Sequence, residues 1–216
     1  MLEVLHHHQV EYAPEYAYPI VILNDTDIMS DNNISEATTN VLAVDPRFPI
    51  GKFDPDFEVS PELRTARISI IAELPARLRE AVTGLSDAQL DTEYREGGWT
   101  LRQVVHHVAD SHANSLIRFK LALTEDEPPT IRPYYEDRWA MLADAKLPVE
   151  VSLKMIEAIH ERWIALLHSM SYSDFQKEFV HPETGNWTLD GALALYAWHS
   201  EHHTAHITTL RDRMGW

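Results

Sequence analysis

The sequence predicts an all-α fold: a four-helix bundle with short extra helices, preceded by a disordered N-terminal extension. Three observations lead there. Four long segments carry apolar residues at helical spacing, each bounded by recognisable start and stop signals. No two segments read as a convincing pair of strands. Residues 1–45 are strongly acidic, and their stretch from Ser30 to Asn40 is polar and lacks periodicity.

Residues 1–45 hold eight acids and no Lys or Arg, half of the net charge of −16. The boundary is therefore drawn between an acidic extension, 1–45, and a helical domain, 46–216. Within the extension, Tyr18-Pro19-Ile20-Val21-Ile22-Leu23 offers at most a short edge strand, because Pro19 cannot donate to a central ladder. The run His6-His7-His8 reads as a flexible tail, since nothing holds three consecutive imidazoles in one geometry.

The helical punctuation starts at Ser60-Pro61-Glu62: a capping side chain, a proline where no amide bond is lost, and an acid in the first turn. The helix from 61 to about 83 puts Ile68, Ile71, Leu74, Leu78 and Val82 on one face. Pro75 inside it predicts a kink or break near Leu74. Ser86-Asp87-Ala88-Gln89 is a capping box for a short helix, and Gly97-Gly98 breaks the chain. Thr100-Leu101-Arg102-Gln103 opens a second long helix ending near Glu125. An irregular loop follows through Tyr134-Tyr135. Pro148 starts a third, to about Met170, with Leu153, Ile156, Trp163 and Leu167 inward. Ser173 starts a short helix, 181–186 is a turn, and Thr188 caps the last helix, from Leu189 to about Met214.

The chain has 216 residues and no cysteine, so disulfides, thiolate ligands and a cysteine nucleophile are excluded. No apolar run approaches the ~20 residues of a membrane span, and no secretory signal is evident, so a cytoplasmic protein is expected. The negative charge opposes binding to nucleic acid and to anionic membranes.

The last helix contains Trp198-His199-Ser200-Glu201-His202-His203-Thr204-Ala205-His206. His199 and His203 are four apart and project from one face, continuing the apolar stripe of Leu189, Leu193 and Tyr196. Two buried imidazoles need polar partners, and a divalent metal satisfies both. His202 and His206 form a competing pair, turned about 60° from the core side. On the second long helix His107 shares a face with Val104 and Val108, whereas His106 falls on a more polar flank with Arg102, Gln103 and Asp110. Three neutral nitrogens from His107, His199 and His203 would leave positions open for water or substrate, as catalytic rather than closed sites do. Ser200 replaces the glutamate of a His-Glu-x-x-His zincin. The competing reading is a histidine-rich interior hydrogen-bonded to Tyr196, Asp110 or water. If the site holds metal, an ordinary histidine pKa of ~6.5 predicts that affinity falls as pH drops through about 6.

The motifs Trp99-Thr100-Leu101-Arg102-Gln103-Val104-Val105-His106-His107-Val108-Ala109-Asp110 and Trp198-His199-Ser200-Glu201-His202-His203, with Phe48-Pro49-Ile50-Gly51-Lys52-Phe53 and Arg213-Met214-Gly215-Trp216, resemble the DinB-like superfamily. Within it the chain is similar to the YfiT type, described as metal-dependent hydrolases and linked to bacillithiol S-transfer. The resemblance runs from about Arg47 to the C-terminus. It implies an up-down-down-up bundle, usually a homodimer, with zinc or nickel on His107, His199 and His203.

Around that site Asp110 is a candidate general base or partner of a ligand histidine, and Arg118 a candidate for holding a substrate carboxylate. His112 and Asn114 are placed at a pocket mouth. Trp99, Trp163, Trp187 and Tyr196 read as core, and His160 and His168 as surface or satisfied histidines. The leading functional expectation is an enzyme acting on a small molecule, with metal-activated water (hydrolysis) or a low-molecular-weight thiol (S-transfer) as nucleophile. The alternative is a non-catalytic metal- or ligand-binding stress-response bundle.

Overall fold

The computed structural model describes residues 45–216. The strand expected at 18–23 and the histidine run at 6–8 lie outside the described residues, as does nearly all of the acidic extension.

Four long helices dominate the described residues: α1 (Pro61–Val82), α3 (Leu101–Thr124), α5 (Val149–Ser169) and α7 (Leu189–Met214). The short helices α2 (Asp87–Leu90), α4 (Glu136–Trp139) and α6 (Tyr172–Phe175), and a 3-10 turn at Ala143–Lys146, fill the connections. The caps fall where the side chains demand them. The Ser60 hydroxyl accepts from Leu63 N at 3.1 Å, and Thr188 caps Gly191 N at 3.0 Å. Thr100 and Gln103 close a reciprocal capping box. Gly215, at φ 70°, ends α7 in the left-handed conformation that an L side chain resists.

The long helices form a ring: α1 packs on α7, α7 on α3, α3 on α5 and α5 on α1. Successive long helices α1 and α3 therefore face each other across the bundle, as do α5 and α7. One apolar cluster gathers Ile71, Phe119, Trp163, Leu189 and Leu193, and the other gathers Leu74, Leu78, Leu101, Val104, Ile156 and Ile207. At about 1.5–3 kcal/mol per buried large side chain, these layers supply the driving force for assembly.

One expectation is narrowed and one corrected. First, of the kink or break expected near Leu74 the break does not occur: α1 runs as one helix from Pro61 to Val82. Proline cannot donate to the Ile71 carbonyl four residues earlier, and Ile71 is fully buried. His160 Nδ1 lies 2.6 Å from that oxygen and satisfies it from α5, while buried Leu74 and Leu78 hold the helix on both sides of the proline. Second, a strand pair is present. β1 (Glu178–His181) and β2 (Gly185–Thr188) form an antiparallel hairpin in the register Glu178 to Thr188 and His181 to Gly185. Strands of four residues are too short to show a period, and the turn between them was the only visible signal.

α7 is covered around most of its circumference. On its outer side, Phe48 meets the His202 ring, Phe53 meets Trp198, and Phe57 reaches Gly191, where an added Cβ would come within 3.1 Å of its ring. Near its start, buried Asp190 is held by a two-pronged bond from Arg64 of α1 (2.7 and 2.8 Å) and by Gln176 Nε2 at 2.9 Å. That pair fixes the register of α7 against α1, before the helix carries His199 into the bundle interior.

Candidate metal centre

α3 delivers His107, and α7 delivers His199 and His203 one helical turn apart, all three buried. One ring nitrogen from each lies within 4.8 Å of the others, and His107 Nε2 stands 3.2 Å from His199 Nε2. The rings meet edge-on or tilted, with centroids 4.3–5.3 Å apart. His203 Nε2 is buried and has no hydrogen-bond partner among the described residues. A buried lone pair without a partner costs free energy that a cation would recover. Burial holds all three imidazoles neutral: it lowers the pKa of His107 to about 3 and those of His199 and His203 well below the ordinary value, and neighbouring imidazoles add to the effect. Neutral imidazole nitrogens suit zinc, nickel, copper or iron(II) alike.

A second group, His202, His203 and His206, also brings one nitrogen each within 4.8 Å. In it His206 Nε2 meets the Arg47 carbonyl and His206 Nδ1 faces His203 Nδ1, each at 3.3 Å, and all three residues come from α7 alone. His202 and His206 are nevertheless deeply buried rather than turned away from the core. His202 stacks on Trp198 at 4.2 Å and His206 on Tyr94 at 4.1 Å. His106 too is buried, in contact with Ser152 Oγ (2.6 Å) and the Leu147 carbonyl (3.0 Å), so its flank is polar without being open.

A narrow crevice leads to His107 and is lined also by Gln103, Asp110, Tyr134, Trp139 and Asp144. Asp110 is half-buried there, and burial, with the charge of Asp144 adding, pushes its carboxyl up to about 6. Arg118 lies eleven positions beyond His107 on α3, about 16 Å along the axis, and does not line this crevice. His112, expected at a pocket mouth, is fully buried between His160 and His199. Asn114 is half-buried and bonds back to the Asp110 carbonyl at 2.9 Å. His160 is buried and satisfied, whereas His168 is exposed. Trp99 lies against His107 with centroids 4.6 Å apart, and Trp163 and Tyr196 sit in the core. Tyr134 was missed by sequence reasoning. It lies in an irregular connection with no period to betray its direction, yet its hydroxyl is buried and unpartnered beside the crevice.

Residues 70–207 match the family model described as the DinB superfamily. The chain belongs to the DinB superfamily. A relative from Bacillus cereus strain 03BB102, provisionally named a metal-dependent hydrolase, is 56% identical over 172 residues, 80% of this chain and 99% of that protein. One from Bacillus anthracis with the same name is 55% identical over the same shares. Among solved structures, YfiT from Bacillus subtilis, described as "a probable metal-dependent hydrolase with an unusual four-helix bundle topology", superposes with a TM-score of 0.76 at 51% identity, covering 79% of this chain and 98% of that one. A mycothiol-dependent maleylpyruvate isomerase shares the fold, with a TM-score of 0.56 at 14% identity over 67% of this chain and 60% of that one. Like YfiT, the chain is a four-helix bundle. Among the described residues no helix is long and apolar enough to cross a membrane.

Proposed function

We propose that this DinB protein is a metal-dependent hydrolase acting on a small molecule, with His107, His199 and His203 holding a zinc or nickel ion. The observation that carries the reading is the convergence of three neutral, buried imidazoles on one point, with the His203 Nε2 lone pair left without any protein partner among the described residues. The names of its close relatives support it. An ion in such a site acidifies a coordinated nucleophile and polarises an electrophile.

The chain's own groups supply the rest. Asp110, facing the crevice beside His107 with its carboxyl near neutrality, is suited to take a proton from the nucleophile and return it to a leaving group. The Tyr134 hydroxyl is buried close by, beside Ser111. Trp139 lines the approach, and Trp99 packs against the His107 ring. Arg118 does not line the crevice but acts on Tyr134, which does, and its proposed part is to hold the distal, anionic end of an extended substrate. A low-molecular-weight thiol in place of water would use the same groups, and it must arrive with the substrate because the chain has no cysteine. The crevice at His107 has a volume of about 10 Å³, room for one water molecule, and an open coordination position facing it would favour both enzymatic readings over a closed, non-catalytic bundle. The resemblance further implies a cytoplasmic homodimer, whose oligomeric state sedimentation velocity would test.

The deciding experiment is elemental analysis of protein purified without a nickel column, followed by turnover on ester and amide panels and on thiol-plus-electrophile panels. One ion per chain with hydrolysis is the expected result. A folded protein that binds neither zinc nor nickel would overturn the reading.

A further inference from the structure

Five histidines and two backbone carbonyls form two chains of hydrogen bonds that end on the proposed α7 ligands. The longer runs from the Ile71 carbonyl to His160 Nδ1 (2.6 Å), from His160 Nε2 to His112 Nδ1 (2.9 Å), and from His112 Nε2 to His199 Nδ1 (3.1 Å). The shorter runs from the Arg47 carbonyl to His206 Nε2 (3.3 Å) and from His206 Nδ1 to His203 Nδ1 (3.3 Å).

A carbonyl oxygen only accepts, so the direction of each chain is forced from its anchor. His160 Nδ1 must donate to Ile71. In a neutral imidazole the other nitrogen then accepts, so His112 donates from Nδ1 to His160 Nε2. By the same step His199 donates from Nδ1 to His112 Nε2, and His199 Nε2 is left as a bare lone pair. In the shorter chain His206 donates from Nε2 to Arg47 and accepts at Nδ1. His203 therefore carries its proton on Nδ1, and its Nε2 is the unpartnered nitrogen at the metal centre. His112, His160 and His206 are all buried, which disfavours the charged form of each.

We propose that His112, His160 and His206 are positioning residues that lock both α7 ligands in the Nδ1–H tautomer, so that each presents an unprotonated Nε2 to the metal. Pro75 belongs to the device, because a residue with an amide proton there would claim the Ile71 carbonyl for α1. The anchors come from two segments outside the ligand-bearing helices, which ties the orientation of the lone pairs to the closure of the whole bundle. Partners that orient ligand histidines in this way are typically worth ~10–100-fold in metal affinity.

The inference rests on the metal reading for its purpose but not for its test. Long-range proton–nitrogen NMR on metal-free, nitrogen-15-histidine protein reads each tautomer directly. The expected result is Nδ1–H on His112, His160, His199 and His203, and Nε2–H on His206. A proton on Nε2 of His199 or His203 would overturn the proposal whether or not the protein binds zinc. Zinc affinity by chelator competition is the second readout. Folded His112→Phe and His206→Phe proteins should each bind one zinc about 10–100-fold more weakly, with the tautomer of His199 or His203, respectively, no longer fixed. Wild-type affinity in both folded variants would refute a positioning role. Failure of the wild type to take up zinc would sink the metal reading alone. Should either variant fail to fold, the wild-type tautomers by themselves uphold or overturn the proposal.

Discussion

Acidifying the metal-free protein should unfold it at a pH that most helical bundles survive. Burial depresses the pKa of His107 and His202 to about 3 and of His160 and His206 to about 4, against 6.5 for an ordinary imidazole. The unfolded chain therefore takes up protons below pH 6.5 that the folded chain refuses. Stability is fully present above that pH and is lost as pH falls from 6.5 toward the folded values. One unit below 6.5, each such group costs the folded state about 1.4 kcal/mol, and these four together roughly 5–6 kcal/mol. His112, His199 and His203, shifted the same way, add to the loss. Asp110, raised to about 6, works in the opposite sense, by less than about 1 kcal/mol at pH 5.5. The sum is a large share of the ~5–15 kcal/mol that holds a domain together. Urea titrations of chelator-treated protein at pH 7.5 and 5.5 measure it: the midpoint should collapse at the lower pH, and saturating zinc should restore part of it. Metal loss on acidification then follows unfolding rather than titration of an intact site, unlike the simple fall through pH 6 that an ordinary pKa suggests. Equal midpoints at the two pH values in metal-free protein would refute the claim that these imidazoles are buried and neutral.

Four further outcomes are expected. His199→Ala and His203→Ala should each abolish stoichiometric zinc, whereas His202→Ala should retain it, as metal analysis after dialysis will show. Arg64→Met should cost about 3–5 kcal/mol in chemical denaturation, because it strands the Asp190 carboxylate, which is 2% exposed; adding Asp190→Asn should recover part of that loss. Asp110→Asn should lower kcat by ~100–10,000-fold on whichever substrate the panels identify, with zinc content unchanged. A chain starting at Asp45 should keep the helical circular dichroism and melting temperature of the full protein, since a relative matched over 99% of its length spans 172 residues of this chain.

The long helices were legible because their ends are written in local chemistry: Ser60-Pro61, Thr100 with Gln103, and Thr188 act on amides within three residues. The juxtaposition of His107, His199 and His203 was legible because each continues an apolar stripe of its own helix. The environment of the other histidines was not. Helical spacing turns His202 and His206 away from the stripe, and only the distant Phe48 and Tyr94 rings, with Trp198 beside them, make those positions interior. His112 and His160 meet across 48 residues of sequence, a contact that no single-helix period can reveal. The β1–β2 hairpin was lost for the opposite reason: four residues per strand carry too little alternation to register.

Because the ring of helices pairs α7 with both α1 and α3, the final stretch of the chain is the one that closes the interior. A nascent chain leaving the ribosome must wait with an apolar furrow between its earlier helices until α7 has emerged. Two of the three proposed donors travel on that last helix, and His107 and His199 are 92 residues apart. If these residues hold a cation, it can be loaded only after α7 has been made, and a chain cut short before residue 189 would present bare hydrophobic surface to the cell's quality-control machinery.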